Sequence, residues 1–256
     1  MSIGYQTYGT GPHKVIALHG WFGNEKTYDP LWEALSPDEF TYVFPAYRGY
    51  GLSRRITGSY TIEEIAADVL AVADSVGFKR FSLIGHSMGG KAIQRVLANA
   101  PDRVRRLVAV TPVPASGVPF DPGTLAAFRS AVNTPEARRG IVAFSIGNRP
   151  LSKVWLDKTA GVPRLPATPE AFSGYLEAWA HGDFSAEIKG KPHPVKVIVG
   201  QFDGALTPDL MKATYLAWYP RAELEVMANA GHYPMDETPI ALASSIEAFL
   251  RADGAG

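Results

Sequence analysis

Apolar positions along the chain follow two alternating rhythms. Lys14–Leu18, Tyr42–Phe44, Phe81–Ile84, Leu107–Val110 and Val195–Val199 are short runs with the length and side chains of buried strands, and Leu224–Met227 is a weaker, alternating strand. Between them, apolar residues recur at helical spacing. Ile65, Val69, Val72 and Val76 mark one helix, which opens at Thr61 with Glu64 three positions later, a capping-box pattern, and stops at Gly77. Ala92, Ile93, Val96 and Leu97 mark a second after Gly89, and Thr238-Pro239 opens a last one reaching Leu250. Strands alternating with helices predict an α/β fold, a mostly parallel central sheet with helices on both faces.

The strand rhythm stops between Thr111 and Pro194. Pro112, Pro114, Pro119 and Pro122 make an irregular exit, and helical patterns follow, among them Leu125/Phe128/Val132 and Phe172/Tyr175/Leu176/Trp179. The expected organisation is a core of residues 1–111 and 194–256 with a helical cap, residues 112–193, inserted over the strand ends. Such a cap would wall an apolar pocket. Periodicity alone does not say which of Phe144, Trp155, Tyr175 and Trp179 faces it.

Chemistry enters at Gly85-His86-Ser87-Met88-Gly89, a G-x-S-x-G pentapeptide between a strand and a helix. A serine at such a turn has its hydroxyl pushed out of the sheet, beside the N–H groups that open the helix. Ser87 is therefore the candidate nucleophile. A nucleophilic serine needs a base, and the base an orienting acid. Asp203 follows the strand ending at Val199, and His232 follows the strand ending at Met227. Functional groups gather at strand carboxyl ends in such sheets, and the order Ser87, Asp203, His232 is that of α/β-hydrolase triads. His19, at the start of an early loop, is expected to brace that loop, and His86 to point away from the nucleophile. Asp209 sits in the first turn of a helix opened by Thr207-Pro208, where a carboxylate is favourable without catalysis. Asp236 lies too close in sequence to His232 to be its expected partner. Two backbone N–H groups should form an oxyanion hole, that of Met88 after the nucleophile and that of Trp21 in the His19–Asn24 loop.

The chain resembles α/β-hydrolase-fold serine hydrolases along nearly its whole length. HGWFGN at 19–24, YRGYGLS at 47–53, GHSMGGK at 85–91, PDRVRRLVAV at 101–110, GQFDGALTP at 200–208 and NAGHYP at 229–234 carry the likeness. GHSMGGKA with the HG-x-FG loop is similar to small bacterial short-chain carboxylesterases. The resemblance implies cleavage of small esters through an acyl-serine, without metal or organic cofactor. Lactones, amides, perhydrolysis and carbon–carbon bond cleavage are the alternatives within the fold, and a ligand sensor that keeps the triad is the alternative outside catalysis. One departure stands out. Family members often have Asp where this chain has Ala46, two residues before Arg48, so the resemblance leaves the bracing of the Arg48 loop unassigned.

Composition narrows the partners. Lys plus Arg and Asp plus Glu number 25 each, which gives no charge excess for nucleic acid or an anionic membrane. The chain has no cysteine, which excludes disulfides, a thiol nucleophile and a cysteine zinc site. Met1–Gln6 lacks the basic and apolar stretches of a signal peptide, and no apolar run approaches the roughly 20 residues of a membrane span. A cytoplasmic protein acting on a small-molecule ester is the expectation; oligomeric state is left open.

Overall fold

A computed structural model describes residues 2–252. Seven strands form one sheet in the order β1-β3-β2-β4-β5-β6-β7: β1 (Tyr5–Tyr8), β2 (His13–Leu18), β3 (Phe40–Pro45), β4 (Phe81–His86), β5 (Val104–Val110), β6 (Val195–Gly200) and β7 (Ala222–Met227). All neighbours pair parallel except β1, which runs antiparallel to β3 at the edge. Five strands coincide with the apolar runs of the sequence, and β7 with the weaker alternation at Leu224–Met227. β1 has no such run, because Tyr5-Gln6-Thr7-Tyr8 is a half-buried edge strand.

Successive side chains of a strand face opposite ways, so the sheet sorts its residues into two cores. Ile16, Leu18, Leu83, Leu107 and Val197 meet Ile65, Val69, Ile93 and Val96 on one face. These come from α1 (Ile62–Ser75) and α2 (Met88–Asn99). Val15, Ala17, Ile84, Val108 and Ile198 meet Leu242 and Ile246 on the other, from α10 (Pro239–Arg251). Each Val, Leu or Ile among them contributes roughly 1.5–3 kcal/mol on burial.

Helix α1 starts as the sequence implies, with Thr61 accepting the Glu64 N–H. The Glu64 carboxylate accepts the Ser59 and Tyr60 N–H groups at 3.1 and 2.9 Å, just ahead of the Thr61 N–H that a reciprocal capping box would use. The same face of α1 replaces the acid missing at Ala46. Asp68 takes Arg48 in a two-pronged pair at 2.8 Å per bond, and Glu64 lies 3.3 Å away. A bidentate carboxylate fixes both position and plane of a guanidinium, so the Arg48 loop is braced from the helix.

Between β5 and β6 the chain forms α3 (Pro122–Ser130), α4 (Pro135–Ser145), α5 (Lys153–Thr159), α6 (Pro169–Ala180) and α7 (Ser185–Ile188). Lys91, one turn into α2, is 1% exposed, and its Nζ donates to the carbonyls of Ala178, Trp179, His181 and Gly182. These end α6, where unpaired carbonyls and the helix dipole favour a cation. Burial draws the Lys91 ammonium down from 10.5 to about 8, while Glu63 and Asp183 act against that fall. After β6 come α8 (Pro208–Met211), running on into a π-helical turn, Lys212–Leu216, and after β7 α9 (Pro234–Glu237).

Candidate active site

The carboxyl ends of β4, β6 and β7 lie on one side of the sheet, so Ser87, Asp203 and His232 emerge together. Ser87 leaves β4 with φ 54° and ψ −116°, outside the regions open to most side chains. Such strain costs about 1–3 kcal/mol and persists only where the surroundings hold it. They do: the Ser87 N–H donates to Val110 O at 3.0 Å, and its carbonyl accepts from Gly90 and Val113 at 2.8 and 2.9 Å. The flanking glycines permit the turn, since a Cβ at Gly85 would stand 2.3 Å from Gly89 O and one at Gly89 2.5 Å from Leu18 O.

Asp203 and His232 are hydrogen-bonded. The imidazole Nδ1 lies 2.7 Å from Asp203 Oδ2, and the Asp203 side chain is fully shielded from solvent. A carboxylate only accepts, so Nδ1 carries the proton and Nε2 presents a lone pair. The second carboxylate oxygen accepts N–H groups from Ala205 at 2.9 Å and Leu206 at 3.0 Å, which sets the plane of the acid. Asp209 is exposed and pairs with Lys212, and Asp236 lies on the exposed side of α9.

His86 does not point away as expected. Its Nε2 donates to the His232 carbonyl at 2.8 Å, and its ring lines the same cavity as Ser87 and His232. Burial holds it far below the ordinary imidazole range, so it stays neutral.

The early loop places Gly20 beside the elbow, with an added Cβ 3.1 Å from Ser87 Cβ. The Gly20 carbonyl accepts from His19 Nδ1 at 2.8 Å and Gly23 N–H at 3.0 Å. In a trans peptide the N–H lies opposite the carbonyl, so this double hold turns the Trp21 N–H away from the His19 side. Met88 is the first residue of α2, where the N–H groups lack helical partners. His19 is thus a loop brace: Nε2 accepts the Tyr47 N–H at 3.3 Å, leaving the proton on Nδ1.

Burial lowers His19 from 6.5 to about 3, with the Gly20 carbonyl opposing the shift. The unfolded chain takes a proton as pH falls through 6.5, whereas the fold refuses it until about pH 3. The stability that goes with neutral His19 is complete above pH 6.5 and is lost as pH falls towards 3, up to about 5 kcal/mol. His86 adds a loss of the same sign. Urea midpoints should therefore drop across this window, and more gently in His19→Asn, which keeps an N–H donor for Gly20 but does not titrate. Identical pH slopes for the two proteins would remove His19 as a cause.

A cavity of about 70 Å³ opens onto these groups, with Ser87, His86 and His232 on one side. Trp21, Phe22 and Leu206 wall it from the core side, and Val113, Val118, Phe120, Phe128, Ile141, Phe144 and Trp179 from residues 112–193. Of the four aromatics that periodicity left open, Phe144 and Trp179 face it. Trp155 instead packs edge-on against Tyr233, and Tyr175 packs among Tyr47, Tyr50 and Tyr60. Among the described residues, no group of three or more His, Cys, Asp or Glu is arranged to hold a metal ion, and no helix is long and apolar enough to cross a membrane.

The alpha/beta hydrolase family model matches residues 15–245. The chain is similar to the pimeloyl-[acyl-carrier protein] methyl ester esterase of Nitrosomonas europaea, 29% identical over 97% of this chain and 99% of the relative. The esterase of the same name from Citrobacter koseri is 27% identical over 93% of each. Among solved structures, a thermophilic esterase from Thermogutta terrifontis is 26% identical, with a TM-score of 0.79 over 97% of this chain and 93% of that one. With this sheet order, a strained serine between β4 and α2, and a family match along most of its length, the chain belongs to the alpha/beta hydrolase family.

Proposed function

We propose that the protein hydrolyses small carboxylic esters through an acyl-serine intermediate, with Ser87 as nucleophile, His232 as general base and Asp203 as its orienting acid. The observation that carries this reading is the Asp203–His232 hydrogen bond at 2.7 Å, opening into the apolar cavity that Ser87 also lines. Relatives named as esterases in Nitrosomonas europaea and Citrobacter koseri, and the Thermogutta terrifontis esterase, support the ester as the bond cleaved. His232 Nε2 takes the Ser87 proton as the hydroxyl attacks the ester carbonyl. The Trp21 and Met88 N–H groups stabilise the tetrahedral oxyanion, where losing one such donor costs about 3–4 kcal/mol. The alcohol leaves with the proton, and water activated by the same imidazole releases the acid.

In this reading residues 112–193 act as the cap and set acyl preference, because Phe120, Phe128, Phe144 and Trp179 supply the outer wall. A chromogenic ester panel from acetyl to dodecanoyl, with methyl esters and a lactone, tests the reading. Turnover should be highest for short acyl esters, as befits a cavity of about 70 Å³. Trp179→Ala should shift preference to longer chains and leave acetyl esters little changed. Unchanged length profiles would make Trp179 a packing residue, and turnover of the lactone alone would replace the ester reading.

A further inference from the structure

Five residues past His232 lies a carboxylate that the triad does not explain. The Glu237 side chain is 4% exposed. Its Oε2 accepts the Gly231 N–H and its Oε1 the Tyr233 N–H, each at 2.9 Å, so one carboxylate grips the backbone on both sides of His232. A buried carboxylate is costly without a counter-charge. Arg149, in the connection after α4, supplies it through a direct ion pair. The same guanidinium donates to Ile146 O at 3.0 Å and to Asn229 O at 3.1 Å, and stacks 4.6 Å from the centre of the Phe202 ring. It therefore touches the loop of the base at Asn229 and the loop of the acid at Phe202.

The remaining backbone groups of His232 are held as well. Its N–H donates to Ser145 O, the last residue of α4, at 3.1 Å. Its carbonyl accepts from His86 Nε2 and Thr111 Oγ1 at 2.8 and 3.1 Å. Gly231 packs so close to α4 that a Cβ there would stand 2.7 Å from Ile146 Cα. The end of α4 is thus both a wall of the cavity, through Phe144 and Ser145, and a mount for the base.

We propose that Glu237 and Arg149 form a positioning pair for His232, the carboxylate setting the backbone on either side of the imidazole and the guanidinium docking it on the end of α4. The proposal rests on the reading of His232 as the base. Displacing a reacting group by an ångström slows the chemical step without weakening substrate binding in proportion. A pair that served stability alone would change the urea midpoint and leave the rate per folded molecule untouched.

The test compares Glu237→Gln, Arg149→Met, Arg149→Lys and the double variant Glu237→Gln/Arg149→Met on one chromogenic ester. Active sites are counted by serine-directed phosphonate, and urea midpoints are recorded. Glu237→Gln keeps the shape and one of the two acceptors. Its kcat per titrated site should fall roughly tenfold to a hundredfold, with KM within about twofold. Arg149→Met should fall similarly, Arg149→Lys should recover part of the loss, and the double variant should be no slower than the worse single one. If Glu237→Gln does not fold, Arg149→Lys carries the test through its kcat. A wild-type kcat per site in the folded variants, whatever their urea midpoints, would overturn the proposal. Failure of the underlying reading looks different, because Ser87→Ala or His232→Ala would then retain turnover.

Discussion

Ser87→Ala should lose ester turnover by on the order of a million-fold in kcat while keeping its fold. The size follows from the way triad members act as a unit, so that without the nucleophile the imidazole and the acid have nothing to activate. The fold should survive because the oxygen is not what holds the elbow. The Ser87 backbone is fixed by Val110, Gly90 and Val113, and the glycines beside it keep the room the turn requires. Alanine at φ 54° bears the same backbone strain as serine. A phosphonate should label the wild type once and the variant not at all, with superimposable circular dichroism. Wild-type turnover in the purified variant would end the serine-hydrolase reading.

For Asp203→Asn the expected fall is about ten-thousand-fold in kcat, the scale seen when a triad acid becomes an amide. The local hydrogen bonds give the reason. One carboxylate oxygen is committed to the Ala205 and Leu206 N–H groups, and the other accepts from His232 Nδ1. An asparagine that keeps its oxygen on those two N–H donors presents its NH₂ to Nδ1. Nδ1 must then accept, the ring proton moves to Nε2, and Nε2 no longer has a lone pair for the serine proton. Asp209→Asn is the control, since Asp209 is exposed and pairs only with Lys212 across one turn; such surface pairs are worth under about 1 kcal/mol. Loss of activity in Asp209→Asn with retention in Asp203→Asn would mean that the acid has been misassigned.

The legible features were those in which one stretch of chain carries both the pattern and its meaning. Five strands showed as apolar runs because parallel strands inside a sheet are buried on both faces, and β7, at the edge, showed only as a weak alternation. Ser87, Asp203 and His232 could be singled out as candidates because each lies within five residues of the end of a strand read from the sequence. β1 was invisible for the opposite reason: its residues are half-buried at an edge and carry no apolar alternation. Ser53 carries no apolar signal, yet it is buried and accepts the Gly4 N–H at 2.8 Å. That contact joins residues 49 apart in sequence. Glu237 and Arg149 were missed on the same grounds. A glutamate after a histidine is unremarkable until a guanidinium from another element neutralises it, and no local period encodes that meeting.

Residues 112–193 look detachable, because they make up a single crossover from β5 to its parallel neighbour β6. The closure entropy of such a connection grows only slowly with its length, by about 0.6 kcal/mol per doubling. The stretch from Phe144 to Arg149 breaks that modularity. An exchange of this insertion for one from another hydrolase would carry the donor's walls into the cavity, but would also remove Ser145 O from the His232 N–H and Arg149 from Glu237. Chimeras should therefore be cut on both sides of this hexapeptide, so that Phe-Ser-Ile-Gly-Asn-Arg stays with the host and only the flanking helices are traded.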